Sequence, residues 1–575
     1  MSAVLRPLAE RRPDPAALAG LAGIDPVLAR IYAARGVHSP DELDPGLAGL
    51  LPVGSLDGVG AAVDLLLAHR DRRIVIVGDF DADGATSTAL VVRCLRAYGF
   101  TDVDYLVPNR FAFGYGLSPE IVRVAAESRP ALLVTVDNGI SSLRGVDEAA
   151  RLGMRVLITD HHLPGRSLPA AAAIVNPNLA GSGFGSPPLA GVGVACYLMA
   201  ALGRRLAEQG EAAAARVPAR FLDLVALGTV ADVVRLDRNN RILVAQGLRR
   251  IRAGHAVPGI RALLAVAGRD PARVVSSDLG FAVGPRLNAA GRLEDMGIGI
   301  ECLLSDDAAA AARHAERLDA INRERRDIET GMRQAAFEAL DALDPRRLPP
   351  CVCLYERDWH QGIVGLVAAR VRERCHRPAI AFAREADGRL KGSARSIAGV
   401  HIRDLLEAID TEHPGLIDRF GGHAMAAGLS LAEQHFDAFR TAAAECLARL
   451  YPDADFRGTL FTDGKLPAEA LSIEFARRLR EAGPWGAGFP EPLFRGDFVV
   501  EEQRVVGERH LKLKVAPAGG GPTLDAIAFN QAEAAARGTV QLAYRLDVNL
   551  WRGVETAELV VEQIAPLAGS AGRAW

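Results

Sequence analysis

What the chain has little of narrows its class before any motif is read. Its 575 residues include only seven cysteines (Cys94, Cys196, Cys302, Cys351, Cys353, Cys375 and Cys446), scattered and without a C-x-x-C spacing. Neither a disulfide framework nor a zinc ribbon is therefore indicated. The nearest pair, Cys351 and Cys353, sits in an apolar run and reads as two ordinary buried thiols. Lysine occurs only at Lys391, Lys465, Lys512 and Lys514, so nearly all of the 67 basic residues are arginine. That arginine abundance, like the abundance of alanine, reflects composition bias. With a net charge of -3 the chain is not a generally basic nucleic-acid binder, and only the placement of its arginines is informative. Long apolar runs are missing too. Stretches such as 61–68 and 131–136 fall well short of a membrane span, and the first residues, Met1 to Asp14, mix Arg and Asp without an apolar signal core. A soluble cytoplasmic protein without a membrane segment is expected.

What is there is ample apolar material, 49% of the residues, in a chain too long for one core, so three or four domains are expected. Residues 1–50 read as a helical lead of short pieces broken by prolines, without evident chemistry. From 51 the pattern changes to alternation. A helix at 61–70 is followed by an apolar strand at 73–78, a helix at 85–98, a strand at 102–107, a helix from about 119, a strand at 131–136, a helix from about 142 and a strand ending at Thr159. Such alternation predicts a parallel sheet covered on both faces, with ligands beyond the carboxyl ends of its strands.

Those ends are where the polar residues fall. The first strand runs into Asp79, Asp81 and Asp83 within GDFDADG, a later one into Asp137 and Asn138, and the last into Asp160-His161-His162; an apolar helix at 221–228 leads to Asp232. So many carboxylates at one rim repel one another unless cations sit among them. The first loop opens like a calcium loop, but Leu90 stands where a bidentate Glu is required. It lacks the G-K-[ST] of a phosphate loop, and helix capping by Asp83 would leave the other strand ends unexplained. Carboxylates mixed with imidazoles, without thiolate, suit Mn²⁺ or Mg²⁺. A site this rich can hold two divalent cations, which activate a water and stabilise the leaving oxygen of a phosphodiester or phosphoanhydride.

The motifs GDFDADG (78–84), PNR (108–110), FGYGL (113–117), VDNGIS (136–141), TDHH (159–162) and GTVADVV (228–234) together resemble the DHH phosphoesterase superfamily, and within it the bacterial RecJ exonucleases. The resemblance covers nearly the whole chain. It implies that Asp81, Asp83, Asp137, His161 and Asp232 are metal ligands, Asp137 bridging, and that His162 is a ligand or substrate contact. Asp79 joins them where other branches carry a histidine, and Asp160 orients its neighbours without touching the ion. Asp137, His161 and His162 form the expected catalytic set. The resemblance also places Arg286 and Asn288 (within 284–292), Arg110, Tyr115, Ser393, Arg395 and His423 at the substrate, with Tyr115 stacking on a base.

Residues 305–345 read as a long linking helix; at 1.5 Å per residue about 35 residues would span roughly 50 Å and join two lobes. Lobes so bridged would leave a passage that admits one strand and excludes a duplex. A second α/β unit is expected at 346–452, with strands near 351–356, 378–383 and 388–395 and helices at 362–374 and 401–409, and it resembles the DHH-associated domain. From 453 to 570 five short strands fit an OB-type barrel, with His510, Lys512 and Lys514 forming a basic stripe suited to a DNA backbone. Residues 51–304 would be the DHH domain itself. The implied activity is degradation of single-stranded DNA from the 5′ end to 5′-mononucleotides in repair and recombination, by a monomer working with a single-strand-binding protein and a RecQ-type helicase. Two other readings stay open, a superfamily phosphodiesterase acting on short oligonucleotides or cyclic dinucleotides and a non-catalytic DNA-binding relative.

Overall fold

The computed structural model describes residues 5–108, 116–342, 348–385, 387–534 and 536–567. The chain forms two compact units: one is built mainly from Ala9–Asp319 and Phe461–Trp575, the other from Ala320–Leu460.

The first unit contains a five-stranded parallel sheet. Its strands are β1 (Ile74–Val77), β2 (Val103–Leu106), β3 (Leu132–Val136), β4 (Arg155–Thr159) and β5 (Ala173–Val175), in the order β2-β1-β3-β4-β5. β1 is Ile-Val-Ile-Val with every side chain buried, which suits its interior place between β2 and β3. Burying each such side chain contributes about 1.5–3 kcal/mol. Strand β5 was not evident in the sequence, being three residues long. Helix α1 (Ala82–Ala97) packs against α2 (Gly191–Glu208) and α3 (Leu222–Ala231), and it is buried nearly all round. Its polar residues survive there by bonding their own backbone: Thr86 Oγ1 donates to Ala82 O at 2.9 Å and Thr88 Oγ1 to Gly84 O at 2.8 Å. Further on come α4 (Gly284–Leu293), entered through a π-turn at Leu279–Val283, and α5 (Ala308–Asp341), a single helix of 34 residues.

The C-terminal part of this unit is a closed barrel. Strands β11 (Phe494–Val506), β12 (His510–Pro517), β13 (Leu524–Ala528), β14 (Thr539–Trp551) and β15 (Val554–Pro566) run in the order β11-β12-β13-β15-β14. Period-two alternation on β12 sends Leu511, Leu513 and Val515 into the barrel core, as the sequence predicts. The N-terminal lead is tied to this end. Helix Pro26–Ala33 contributes Ile31 to the barrel core, Tyr32 stacks with Trp485 at 6.1 Å, and Arg35 Nη1 donates to Asp463 Oδ1 at 2.7 Å with both side chains buried.

The second unit is a mixed sheet of β6 (Val352–Tyr355), β7 (Ala379–Arg384), β8 (Arg389–Arg395), β9 (Arg419–Gly422) and β10 (Ala426–Ala432), in the order β9-β10-β8-β7-β6. Helices Val364–Cys375, Ile402–Glu412 and Phe436–Leu450 accompany it. The segment around His423 proves to be the turn of the β9–β10 hairpin, which the sequence conceals because glycines interrupt any alternation. Among the described residues no single helix is long and apolar enough to cross a membrane.

Candidate metal centre

The loop after β1 supplies the first carboxylates. Asp79 is buried and accepts from its own Phe80 N–H at 2.8 Å. The helix cap is Asp81, whose Oδ1 accepts from Gly84 N–H at 3.0 Å, and not Asp83 as the sequence suggests. Asp83 lies one step inside the helix and turns the other way. Its two oxygens accept from Gly191 N–H at 2.7 Å and Val192 N–H at 2.9 Å, at the N-terminus of α2. Such closeness requires glycines. A Cβ on Gly191 would stand 2.7 Å from Asp137 Cβ, and one on Gly228 would stand 2.8 Å from Asp83 Oδ1.

Asp137, directly after β3, has φ +62°, and so does Val233, directly after Asp232, so one expected ligand and the neighbour of another sit at left-handed backbone. Asp160 ends β4 and organises the two histidines beyond it. Its carboxylate accepts from Ile140 N–H at 2.9 Å, His161 N–H at 2.7 Å and His162 N–H at 3.1 Å, and pairs with His162 Nδ1 at 2.7 Å. Asn178 Nδ2 donates to His161 O at 2.6 Å, and Asn176 Nδ2 to His162 O at 2.9 Å, which fixes both histidines from behind. These asparagines were not singled out in the sequence; the N-P-N triplet directly after an apolar run was their only signal.

The ligand atoms converge. His161 Nε2 lies 3.1 Å from Asp137 Oδ1, 3.5 Å from Asp232 Oδ2 and 4.0 Å from Asp83 Oδ2. Three groups offer atoms within 4.8 Å of one another: Asp79, Asp81 and Asp137; Asp83, His161 and Asp232; and Asp137, His161 and His162. Asp137 belongs to two of them and shares each with a different partner set. Burial, then the charges of Asp83, Asp81, Asp232 and Asp79, push the Asp137 carboxyl well above its ordinary range. Burial and Asp81 raise Asp83 to about 7, against the pull of the two amides from α2, and Asp232 is raised in the same way. Burial disfavours a charged His162, but Asp160, with Asp232 and Asp79, outweighs it and raises the imidazole to about 9. Burial would likewise raise Asp160, yet His162 and backbone donors hold it below its ordinary value.

Divalent cations fit this arrangement. A buried set of carboxylates that cannot all be charged together is stabilised when positive charge enters it. The donors are hard oxygens and imidazole nitrogens, the set that magnesium and manganese favour. The 3.1 Å between Asp137 and His161 is close to the roughly 3 Å that separates neighbouring ligands of an octahedral ion.

The other expected contacts lie differently. Arg286 is buried, with Nε donating to Asp319 Oδ1 at 2.9 Å and Nη1 to Ala282 O at 2.6 Å. It therefore ties α4 to the long helix and does not present an open fork to a phosphate. Asn288 Oδ1 accepts from Ala82 N–H at 2.8 Å and so holds the aspartate loop from beneath. Arg110 and Tyr115 lie outside the described residues. In the second unit Arg395 Nη1 donates to Ser393 Oγ at 3.0 Å, and a Cβ on Gly365 would meet both side chains within 2.9 Å. His423 occupies the hairpin turn there, its N–H donating to Ala426 O at 2.8 Å. On the barrel the basic stripe is neutralised. Lys512 Nζ lies 3.3 Å from Asp525 and 3.9 Å from Glu558, and Lys514 Nζ lies 3.5 Å from Glu502.

Three family profiles match the chain: the DHH family, N-terminal domain, over residues 73–229; the DHHA1 domain over 349–449; and the RecJ OB domain over 462–563. The single-stranded-DNA-specific exonuclease RecJ of Dickeya dadantii is 56% identical over 94% of this chain and 96% of its own length. The crystal structure of RecJ from Thermus thermophilus in complex with Mn²⁺ superposes with a TM-score of 0.81 at 32% identity, covering 98% of this chain and 80% of that one. The same protein in complex with Mg²⁺ gives 0.76 at 31% identity, over 98% and 79%.

Proposed function

The chain belongs to the RecJ single-stranded-DNA-specific exonucleases of the DHH family, and from that membership we propose that it removes 5′-mononucleotides from the 5′ end of single-stranded DNA. The observation that carries this reading is the convergence of Asp79, Asp81, Asp83, Asp137, His161 and Asp232 from separate strand and helix ends into groups of ligand dimensions.

Asp137 would be the shared ligand, with Asp79 and Asp81 on one side of it and Asp83, His161 and Asp232 on the other. Bound Mn²⁺ or Mg²⁺ would supply the Lewis acidity that makes water nucleophilic and steadies charge on the departing 3′ oxygen. The chain's own contribution is position. Asp160 and the two asparagines lock the histidine backbone, Asp81 caps α1 so that its carboxylate faces the site, and Asn288 braces the loop. With Nδ1 engaged by Asp160, His162 would meet ligand or substrate through Nε2. Ser393 and Arg395, side by side in the second unit, and His423 from its hairpin would be substrate contacts, as would Arg110, and Tyr115 would stack on a base.

The RecJ OB domain match and a relative similar across nearly the whole chain favour this reading over a phosphodiesterase of dinucleotides or a non-catalytic relative. In the cell the enzyme would act in the cytoplasm as a monomer, on strands opened by a RecQ-type helicase and covered by a single-strand-binding protein. Timed digestion of one oligonucleotide labelled at either end, with each metal, tests the proposal. Loss of the 5′ label first, as a mononucleotide, is expected; loss of the 3′ label first would overturn the polarity.

A further inference from the structure

The second unit holds a group of ligand dimensions that shares no residue with the metal centre. Glu412, His413 and Cys446 bring one donor atom each to within 4.8 Å of one another. The sequence explains why they meet. Pro414 bars helix Ile402–Glu412 from continuing, because the residue before a proline is pushed out of helical backbone, and His413 adopts φ -129° and ψ 69°. Consecutive residues within a helix face apart, and this break lets both turn to Cys446 on helix Phe436–Leu450.

The spacing fits one ion. Cys446 Sγ donates to Glu412 Oε2 at 3.5 Å. A thiolate about 2.3 Å and a carboxylate oxygen about 2.0 Å from a tetrahedral Zn²⁺ would themselves lie about 3.5 Å apart. Glu412 is divided between two tasks: Oε1 accepts from Arg449 Nη2, while Oε2 faces the thiol. A donor on the outer oxygen is what orients a ligating carboxylate. Arg449 Nη2 also lies 3.8 Å from Sγ, a charge that favours the thiolate. Burial and then Glu412 raise the thiol against that pull, so its proton stands beside Oε2 where a cation would replace it. His413 is exposed, and its ring turns to an ion without displacing a packed neighbour.

The donors choose the metal. Thiolate with imidazole suits zinc, whereas the carboxylate-rich centre of the first unit suits Mg²⁺ or Mn²⁺. Among the groups of ligand dimensions in the described residues, only this one includes a cysteine.

We propose that Glu412, His413 and Cys446 bind Zn²⁺, with water as the fourth ligand, and that the ion staples together the ends of the two helices. The staple bears on the hairpin of His423. Helix Ile402–Glu412 starts at Ile402, whose N–H donates to Ala424 O at 2.9 Å in that hairpin's turn, so an ion at its far end steadies the support of the turn. Zinc binding here is independent of the exonuclease reading.

The probe is Co²⁺, titrated into the full-length protein with excess Mg²⁺ occupying the carboxylate-rich centre. A thiolate on Co²⁺ gives a near-ultraviolet charge-transfer band that oxygen and nitrogen ligands do not give, and a tetrahedral ion gives intense visible bands. Both are expected to saturate at a single equivalent. Zn²⁺, which has no d-electron preference to give up in a tetrahedral site, should bleach them. Cys446→Ser should abolish the ultraviolet band, and Glu412→Gln and His413→Ala should each weaken Co²⁺ binding about tenfold or more. The last two change exposed residues and decide the matter even where Cys446→Ser fails to fold. A wild type without the band, a band that survives Cys446→Ser, or unchanged affinity in both exposed variants would overturn the site. Amide exchange along 402–412 should slow with Zn²⁺; exchange that bound Zn²⁺ leaves unmoved would overturn the staple.

Discussion

Asp137 Oδ1 and His161 Nε2 lie 3.1 Å apart although they end neighbouring parallel strands. The sheet register, which sets Val136 beside Thr159, brings them together, so the spacing belongs to the fold and not to a flexible loop.

Replacing Asp137 by Asn preserves the left-handed backbone, since Asn tolerates that conformation, but removes the charge shared by two ligand groups. Single-turnover cleavage is expected to fall by about a thousandfold or more, with the melting temperature unchanged or raised because a repelling carboxylate is gone. Cleavage within about tenfold of wild type would sink the shared-ligand assignment.

Asp160 acts through others. Asp160→Ala removes the acceptor for three backbone amides and for His162, and should weaken metal binding by about 10–100-fold in a calorimetric titration. Unaltered affinity would mean that the histidine backbone is held without it.

Arg286→Ala should cost about 3 kcal/mol in urea unfolding, because it removes the guanidinium from a largely buried ion pair. Asp319→Ala should cost a similar amount, and the double variant much less than the sum. Full stability combined with a raised KM for 5′-phosphorylated strands would restore Arg286 to the phosphate.

Two glycines should answer in opposite directions. Gly191→Ala pushes a methyl against Asp137, and should lower stability by about 1–3 kcal/mol and reduce cleavage with it. Gly331, inside the long helix with nothing within 4 Å of its would-be Cβ, should gain about 0.5–1 kcal/mol as Ala. Denaturant midpoints separate the two.

Asp25 caps helix Pro26–Ala33 through Val27 and Leu28 and lies 2.9 Å from Arg478. Burial opposes its charge, but the cap and Arg478 hold its carboxyl below the ordinary 3.8. A depressed carboxyl stabilises the fold above its unfolded value and loses that effect as pH falls through the folded one. Asp25→Ala should therefore cost about 1 kcal/mol at neutral pH, and the gap to wild type should close in acid.

The parallel sheet and the clustering of candidate ligands at its rim were legible because buried strands are rich in Ile, Val and Leu and because polar residues gather where such runs stop. The five barrel strands were legible through alternation. Where side chains point was not. Asp81 takes the capping role because Asp83 turns to the distant Gly191 and Val192, Arg286 turns to Asp319, and the lysines of β12 meet acids on other strands, so these orientations depend on neighbours distant in sequence. The same is true of the N-terminal lead, whose prolines and caps show helices but not that Ile31 completes a core some 460 positions away.

That last connection bears on biosynthesis. Arg35 leaves the ribosome early, whereas Asp463, its buried partner, is made only after the whole second unit. The catalytic strands can assemble first, yet the early segment stays undocked until translation is nearly finished. A ribosome stalled before residue 463 would present that helix to proteases, so truncated nuclease carries its own mark for removal.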